Sequence, residues 1–402
     1  MRLKDFSVLN PQYKGESLDC EVSFVPMESL RNGAIDYQDI PFAEGKGKYT
    51  YFQDGDLLVA KVTPCFENGN IAIANNMKQG VGFGSSEIFV LRMNDKVLNT
   101  YMFYITQTAK FQEGACATMC GVGGLKRISP LFMRTYELDI PSLSKQQRIV
   151  DYLDAKLGKI DARIAILEKQ QDAYARLKRS VIHHAVTRGL DPNVFLKDSG
   201  VEWIGMIPKH WELQRFKSIF TECKSVTETG QEDLLSVSEY YGVARRIDKM
   251  EDGKYESRAD SLVGYKVCKK DDLVINIMLA WKRGLGFSDF DGIVSPAYAV
   301  YRGKDIAPHY FHYLMRTDMY VAEYKRNSKG IIDSRLRMYT DRFNNIIAIV
   351  PPLSEQQAIA AYLDEKCSKI DAATENIGKQ IDALKRLKRA LINEVVTGQR
   401  AV

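Results

Sequence analysis

Residues 141–187 recur as residues 351–397, with 25 of 47 positions identical at a constant shift of 210 and no gap. The first copy opens Pro141-Ser-Leu-Ser-Lys-Gln-Gln147 and closes Leu177-Lys-Arg-Ser-Val-Ile182. The second opens Pro351-Pro-Leu-Ser-Glu-Gln-Gln357 and closes Leu387-Lys-Arg-Ala-Leu-Ile392. The segments between the copies are far less alike, so one structural unit has been duplicated and only part of it held constant.

The constant part reads as helix. In the first copy Leu153, Ile160, Leu167, Tyr174 and Val181 fall seven apart; in the second Leu363, Ile370, Ile377, Leu384 and Leu391 do the same. Apolar residues at heptad spacing form a seam on one helix face, and no proline interrupts either run. Each copy is therefore expected to be a continuous helix of roughly 40 residues, about 60 Å long. Ser144-Lys-Gln-Gln147 and Ser354-Glu-Gln-Gln357 read as capping boxes, and Gly189 and Gly398 as stops. A lone amphipathic helix of this length has no core, so each seam is expected to face the other. The roughly 15 residues between the first helix and Trp203 are too few to return along its length, which favours an antiparallel pair with a globular domain at each end.

Both intervening segments carry strand-like runs, among them 56–62, 87–92, 272–277 and 297–301. Each also has one aromatic helical stretch, 101–111 and 310–324, then a glycine-containing loop and a last strand entering the repeated helix. The expected class is α+β: two globular α/β domains separated by a long antiparallel two-helix coiled coil, with a pseudo-twofold internal repeat. The expected boundaries are 1–140, 141–187 (helix), 188–200 (linker), 201–350, 351–397 (helix) and 398–402 (tail).

The 402 residues are 45% hydrophobic and 27% charged, an ordinary soluble composition. No apolar run approaches the roughly 20 residues of a membrane span, and the opening residues lack a signal peptide's apolar core, so a cytoplasmic protein is expected. Seven cysteines without a CxxC pair read as reduced thiols. Cys116 with Cys120, or His309 with His312, lacks a second ligand pair, so no metal is expected. Asn10-Pro-Gln-Tyr13 and Gly80–Gly84 imitate methyltransferase motifs, but neither has the strand and helix context such motifs need. Gly121-Val-Gly-Gly124-Leu-Lys126 lacks the spacing and hydroxyl of a phosphate-binding loop. No nucleophile constellation is apparent, and the chain reads as a binding protein without chemistry of its own.

The net charge of +5 slightly favours an acidic partner, and cations cluster at 266–283 and 325–342. Either cluster alone is ordinarily a solvated face.

The repeated Pro-x-Leu-Ser-x-Gln-Gln entry to a heptad helix resembles the shared regions of type I restriction-modification DNA specificity subunits. Thr187-Arg-Gly-Leu-Asp-Pro192, Lys197-Asp-Ser-Gly-Val-Glu-Trp-Ile-Gly205 and Ile207-Pro-Lys-His-Trp-Glu212 look like that family's entry into a target-recognition domain. The first domain lacks this leader. The resemblance implies a non-catalytic subunit that reads a bipartite, asymmetric site in double-stranded DNA, one half per domain. Methyltransferase subunits, typically two, would dock on the helices and use S-adenosylmethionine; a motor-nuclease subunit using ATP and magnesium would join for cleavage. No cofactor is expected in this chain.

Base and phosphate contacts are expected from loop residues. They are Lys61, Asn68, Asn70, Lys126 and Arg127 in the first domain, and Lys282, Arg283, Lys325, Arg326, Lys329, Arg335 and Arg337 in the second. Two other readings stay open: a related system with cleavage and methylation fused in one partner, and a coiled-coil interaction protein without DNA function. Self-association of the isolated chain is also expected, because helix surface meant for partners would be exposed.

Overall fold

Two helices dominate the computed structural model, which describes residues 1–122, 124–246, 248 and 261–402. Gly123, inside the glycine run at 121–124, lies outside them. The helices are Leu143–Arg188, with 46 residues, and Leu353–Val396, with 44. At about 1.5 Å per residue each exceeds 60 Å. All ten expected heptad residues are buried or half-buried, from Leu153 and Leu363 at 0% exposure to Tyr174, Val181, Ile160 and Leu384 at intermediate values.

The helices open earlier than the expected caps. Leu143 and Leu353 are the first helical residues, which puts Ser144 and Ser354 inside the first turn. Gln146 N donates to Ser142 O at 2.9 Å, and Gln356 N to Pro352 O at 3.0 Å. The capping box gives way because the first glutamine of each motif is drawn inward. Gln146 and Gln356 are 0% and 1% exposed, and their Oε1 atoms accept from Leu98 N and Ala307 N, both at 2.9 Å. Their Nε2 atoms donate to Pro141 O and Pro351 O. Each glutamine thus satisfies a backbone donor at the start of another helix that would otherwise be buried unpaired.

The chain divides into two compact units, residues 1–168 with 378–402, and residues 169–377. In the first, an antiparallel sheet runs in the order Ser7–Leu9, Ile88–Met93, Leu57–Ala60, Ile71–Ile73. A second sheet orders Gln38–Pro41, Glu21–Val25, Val81–Gly84 and Thr50–Gln53, with its middle pair parallel. The main core joins Phe66, Phe89, Tyr101 and Phe111 to Leu153 and Leu157 of one long helix and to Leu391 and Ile392 of the other. The second unit's antiparallel sheet has the same order of roles: Phe220–Glu222, Tyr298–Gly303, Asp272–Asn276, Leu285–Phe287. Its core joins Trp211, Phe216, Tyr310, Tyr320 and Tyr324 to Val186 and Leu363. Leu196–Asp198 and Met206–Pro208 pair as a hairpin, and Glu212–Arg215 pairs with Ile347–Val350.

Each aromatic stretch expected as one helix is two: Asn99–Thr106 and Ala109–Ala117, then Pro308–Met315 and Asp318–Asn327. The break falls at a threonine both times, Thr108 and Thr317, each the N-cap of the second helix. Thr108 Oγ1 accepts from Phe111 N at 3.4 Å, so a side chain replaces the helical partner that this amide would lack.

The two units repeat their polar anchors as well. Asp56, 2% exposed, takes Arg92 Nε and Nη2 at 2.8 and 2.7 Å; Asp272, 1% exposed, takes Arg302 at 2.8 and 2.9 Å. Tyr104 donates to Asp154 and Tyr313 to Asp364. Lys388 meets Asp161 in the first unit and Lys178 meets Asp371 in the second, both at 2.7 Å. Those two ion pairs exchange under the 210-residue shift of the repeat. In the second unit Gln171 Nε2 also donates to Thr374 O, so with Lys178–Asp371 the two helix segments there run in opposite directions.

Candidate nucleic-acid interface

In the first unit the sheet delivers Lys61 to the strand end after Ala60, where its amide donates to Glu87 O and its carbonyl accepts from Ile128 N. Thr63 N donates to Lys126 O at 2.9 Å, and Val62 and Cys120 both bridge Arg127. These contacts bring Lys61, Lys126 and Arg127 together. Arg127 forks onto Glu87, Nε to Oε2 at 2.9 Å and Nη2 to Oε1 at 2.8 Å. That contact holds the Glu87 carboxyl below its ordinary range. Lys61 Nζ sits 5.2 Å from the Phe89 ring centre, and partial burial pushes its ammonium down against the opposing pull of Glu87. Asn68 is exposed in the 62–70 turn, whereas Asn70 is only 8% exposed, its backbone tied to Cys65 and Ala60.

In the second unit the Trp281 ring lies within 5.0 Å of Lys282 Nζ and 5.1 Å of Lys325 Nζ, and Trp281 Nε1 donates to Met278 O. This is a cationic shelf on an aromatic base. Lys325 also reaches Asp333 at 3.1 Å, and Lys329 stands 4.0 Å from Asp341 and over the Tyr339 ring. Arg326 contacts Glu323 at 3.3 Å. Arg283, left-handed at φ 62°, donates to Arg316 O at 3.0 Å and pairs with Asp318. Lys329 and Arg337 exchange backbone hydrogen bonds, both 2.9 Å, and Arg337 Nη1 donates to Leu336 O. Arg335 is exposed and has no side-chain partner among the described residues.

Five of the twelve expected contact residues, Arg127, Arg283, Lys325, Arg326 and Lys329, are thus engaged by carboxylates. Exposed pairs of this kind contribute little to stability, so a phosphate can displace the carboxylate at little cost. Arg316, outside the expected set, is committed to structure: it donates to the carbonyls of Arg283, Leu285 and Glu239 at 2.7 to 2.8 Å, and burial pushes it down to about 10. Sequence reasoning missed the Trp281 shelf, although Trp281-Lys282-Arg283 is an aromatic next to cations and could have signalled it. Among the described residues no group of three or more His, Cys, Asp and Glu is placed to hold a metal ion, and no helix is long and apolar enough to cross a membrane.

The loops of this duplicated helix-and-sheet chain gather cations around aromatic rings. Residues 14–173 match the family described as type I restriction modification DNA specificity domain. The Escherichia coli EcoEI specificity subunit is 34% identical over 152 residues, 37% of this chain and 26% of that protein. EcoAI is 31% identical over 146 residues, 35% of this chain and 25% of its own length. The Methanocaldococcus jannaschii MjaVIII specificity subunit aligns at 22% identity over 96% of this chain and 87% of its own. A solved structure bearing on complex assembly and conformational transition of the type I R-M system shares the fold with a TM-score of 0.72, at 14% identity, over 98% of this chain and 96% of that one. The HsdS subunit of Thermoanaerobacter tengcongensis gives 0.52 at 16% identity, over 100% and 96%. The family match covers residues 14–173, and the relatives that align with this chain are specificity subunits of type I restriction enzymes. The matches to EcoEI and EcoAI span only about a quarter of those relatives.

Proposed function

We propose that this chain is the DNA-reading, non-catalytic subunit of a type I restriction-modification enzyme, with one recognition domain in residues 1–140, another in 201–350, and the two long helices as a coiled-coil spacer between them. Each domain reads one half of a bipartite, asymmetric site in duplex DNA, and the helices set the number of unread base pairs between halves. Methyltransferase subunits, two by the pseudo-symmetry of the repeat, dock on the helices and bring S-adenosylmethionine; a motor-nuclease subunit brings ATP and magnesium.

One observation carries this reading. Buried anchors recur in both units, Asp56–Arg92 and Asp272–Arg302, Gln146 and Gln356, while the exposed loops share the bridging arginines Arg127 and Arg337 and differ in their other cations. A constant frame with divergent basic loops is what two readers of different sequences require. Cations supply sequence-independent hold on phosphates, and side chains at base edges supply the choice.

The test is single-molecule sequencing of adenine methylation in cells carrying this chain and its neighbouring methyltransferase, against cells lacking only this chain. Loss of one bipartite motif is expected. An unchanged methylome in cells with an active methyltransferase would overturn the reading.

A further inference from the structure

We infer that the loops 120–127 and 329–337 are two reading probes that lay apolar side chains against thymine-bearing base edges in the major groove, with adjacent cations on phosphates. The inference rests on the DNA-reading role proposed above and names side chains within it.

Both loops are built alike although their sequences differ. Cys120 and Arg127 exchange backbone hydrogen bonds at 3.0 and 2.9 Å, as Lys329 and Arg337 do at 2.9 Å, so each loop is closed at its base by one isolated bridge. The residue after the first bridging position is glycine both times, Gly121 at φ 156° and Gly330 at φ 150°. A Cβ at Gly121 would stand 2.1 Å from Leu125 O, and one at Gly330 would stand 2.6 Å from Arg335 O. In each loop that carbonyl lies two residues before the second bridging position. Any side chain there would force the base of the loop open.

The residues projected beyond the pinch are apolar and unpacked. Val122 and Leu125 are 90% and 55% exposed in the first loop; Ile331 and Ile332 are 101% and 53% exposed in the second. A single exposed aliphatic residue is unremarkable, but two per loop, one of them directly after the pinching glycine in both units, contribute nothing to either core. Charge names the occupant. Lys61, Lys126 and Arg127 flank the first loop, and Lys325, Lys329 and Arg335 the second, with the Trp281 ring under Lys325. An apolar tip among cations fits a surface that is anionic at its rim and apolar at points inside. The major groove of DNA, about 12 Å wide, has room for a loop closed at its base, and the thymine methyl is its apolar feature.

The experiment reads methylated motifs in cells whose chain carries Ile331→Ser with Ile332→Ser, Val122→Ser with Leu125→Ser, or Gly330→Ala, beside the unaltered chain. The isoleucine pair and Gly330→Ala are expected to relax an A·T position in one half of the motif, roughly tenfold in discrimination, and the Val122 and Leu125 pair to relax one in the other half. Melting temperatures of the serine variants should stay at that of the unaltered protein. Lost methylation at unchanged melting temperature would also support contact with DNA. Motifs identical to the original, or a fall in melting temperature showing the tips to be packed as core, would overturn the inference. Absence of any motif dependent on the unaltered chain would instead overturn the function on which it rests.

Discussion

At the scale of single residues, the two buried carboxylates decide how each sheet is anchored. Asp272 is 1% exposed and Arg302 is its forked partner, so removing the charge leaves a guanidinium beside a neutral amide that cannot accept two donors equally. Losing one member of a buried pair costs about 3–5 kcal/mol, reduced here because Arg302 keeps contact with water. Asp272→Asn is therefore expected to destabilise the protein by about 2 kcal/mol in denaturant titration; a loss below about 0.5 would show that the pair is dispensable. His312 offers a pH test. Burial first, then the charges of Arg316 and His309, pushes its imidazole from 6.5 down to about 3. The unfolded chain takes up a proton that the folded chain refuses, so stability is full above about pH 6.5 and is lost as pH falls toward 3. The slope is at most about 1.4 kcal/mol per pH unit, blunted because the ring is half-buried. His312→Gln should flatten the fall in unfolding midpoint between pH 6.5 and 5, and an unaltered slope would assign the acid sensitivity to other groups.

At the scale of elements, the long helices were legible in the sequence because a seven-residue apolar period leaves little alternative to helix. Strands around Val59, Val90, Val274 and Val300 were legible for a similar reason, as short β-branched runs. What was not legible had no period to betray it. The break at Thr108 requires knowing that a threonine hydroxyl will cap Ala109–Ala117 rather than sit within one helix. The inward turn of Gln146 and Gln356 depends on Leu98 and Ala307 amides that only the tertiary fold brings near. The same limit applied to the candidate interface: a list of cations in the sequence does not tell that Arg283 is spent on Arg316 O and Asp318, or that Asn70 is buried. Heptad positions should also differ in worth according to burial. Leu363, fully buried, is expected to cost about 3 kcal/mol on Leu363→Ala, and half-buried Leu384 about 1 kcal/mol on Leu384→Ala. Equal costs in chemical denaturation would mean that the seam is packed uniformly along the helix.

At the scale of the whole molecule, surface left uncovered by the fold predicts how the chain behaves without partners. Leu177 is 48% exposed and Leu387, its counterpart under the 210-residue shift, is 51% exposed; Ile166 is 49% exposed. In the second unit a cavity of about 620 Å³ opens beside Leu177, lined by Ala173, Tyr174, Ala373, Asn376 and Ile377. Duplication preserved both leucines although neither completes a core, as the proposed docking of methyltransferase subunits on the helices would require. Water around such surface favours burying it in whatever copy is available, at about 25 cal/mol per Å² of apolar area removed. The isolated chain is therefore expected to self-associate, with an apparent mass in sedimentation that falls on dilution. Leu177→Glu combined with Leu387→Glu should shift it toward a monomer, since a charge on each patch must be desolvated or repelled in any pairing of the two. The same double variant should lower motif methylation in cells at unchanged melting temperature. A monomer at every concentration, from a chain still active in cells, would mean that these leucines are solvated surface and would remove them from the proposed docking face.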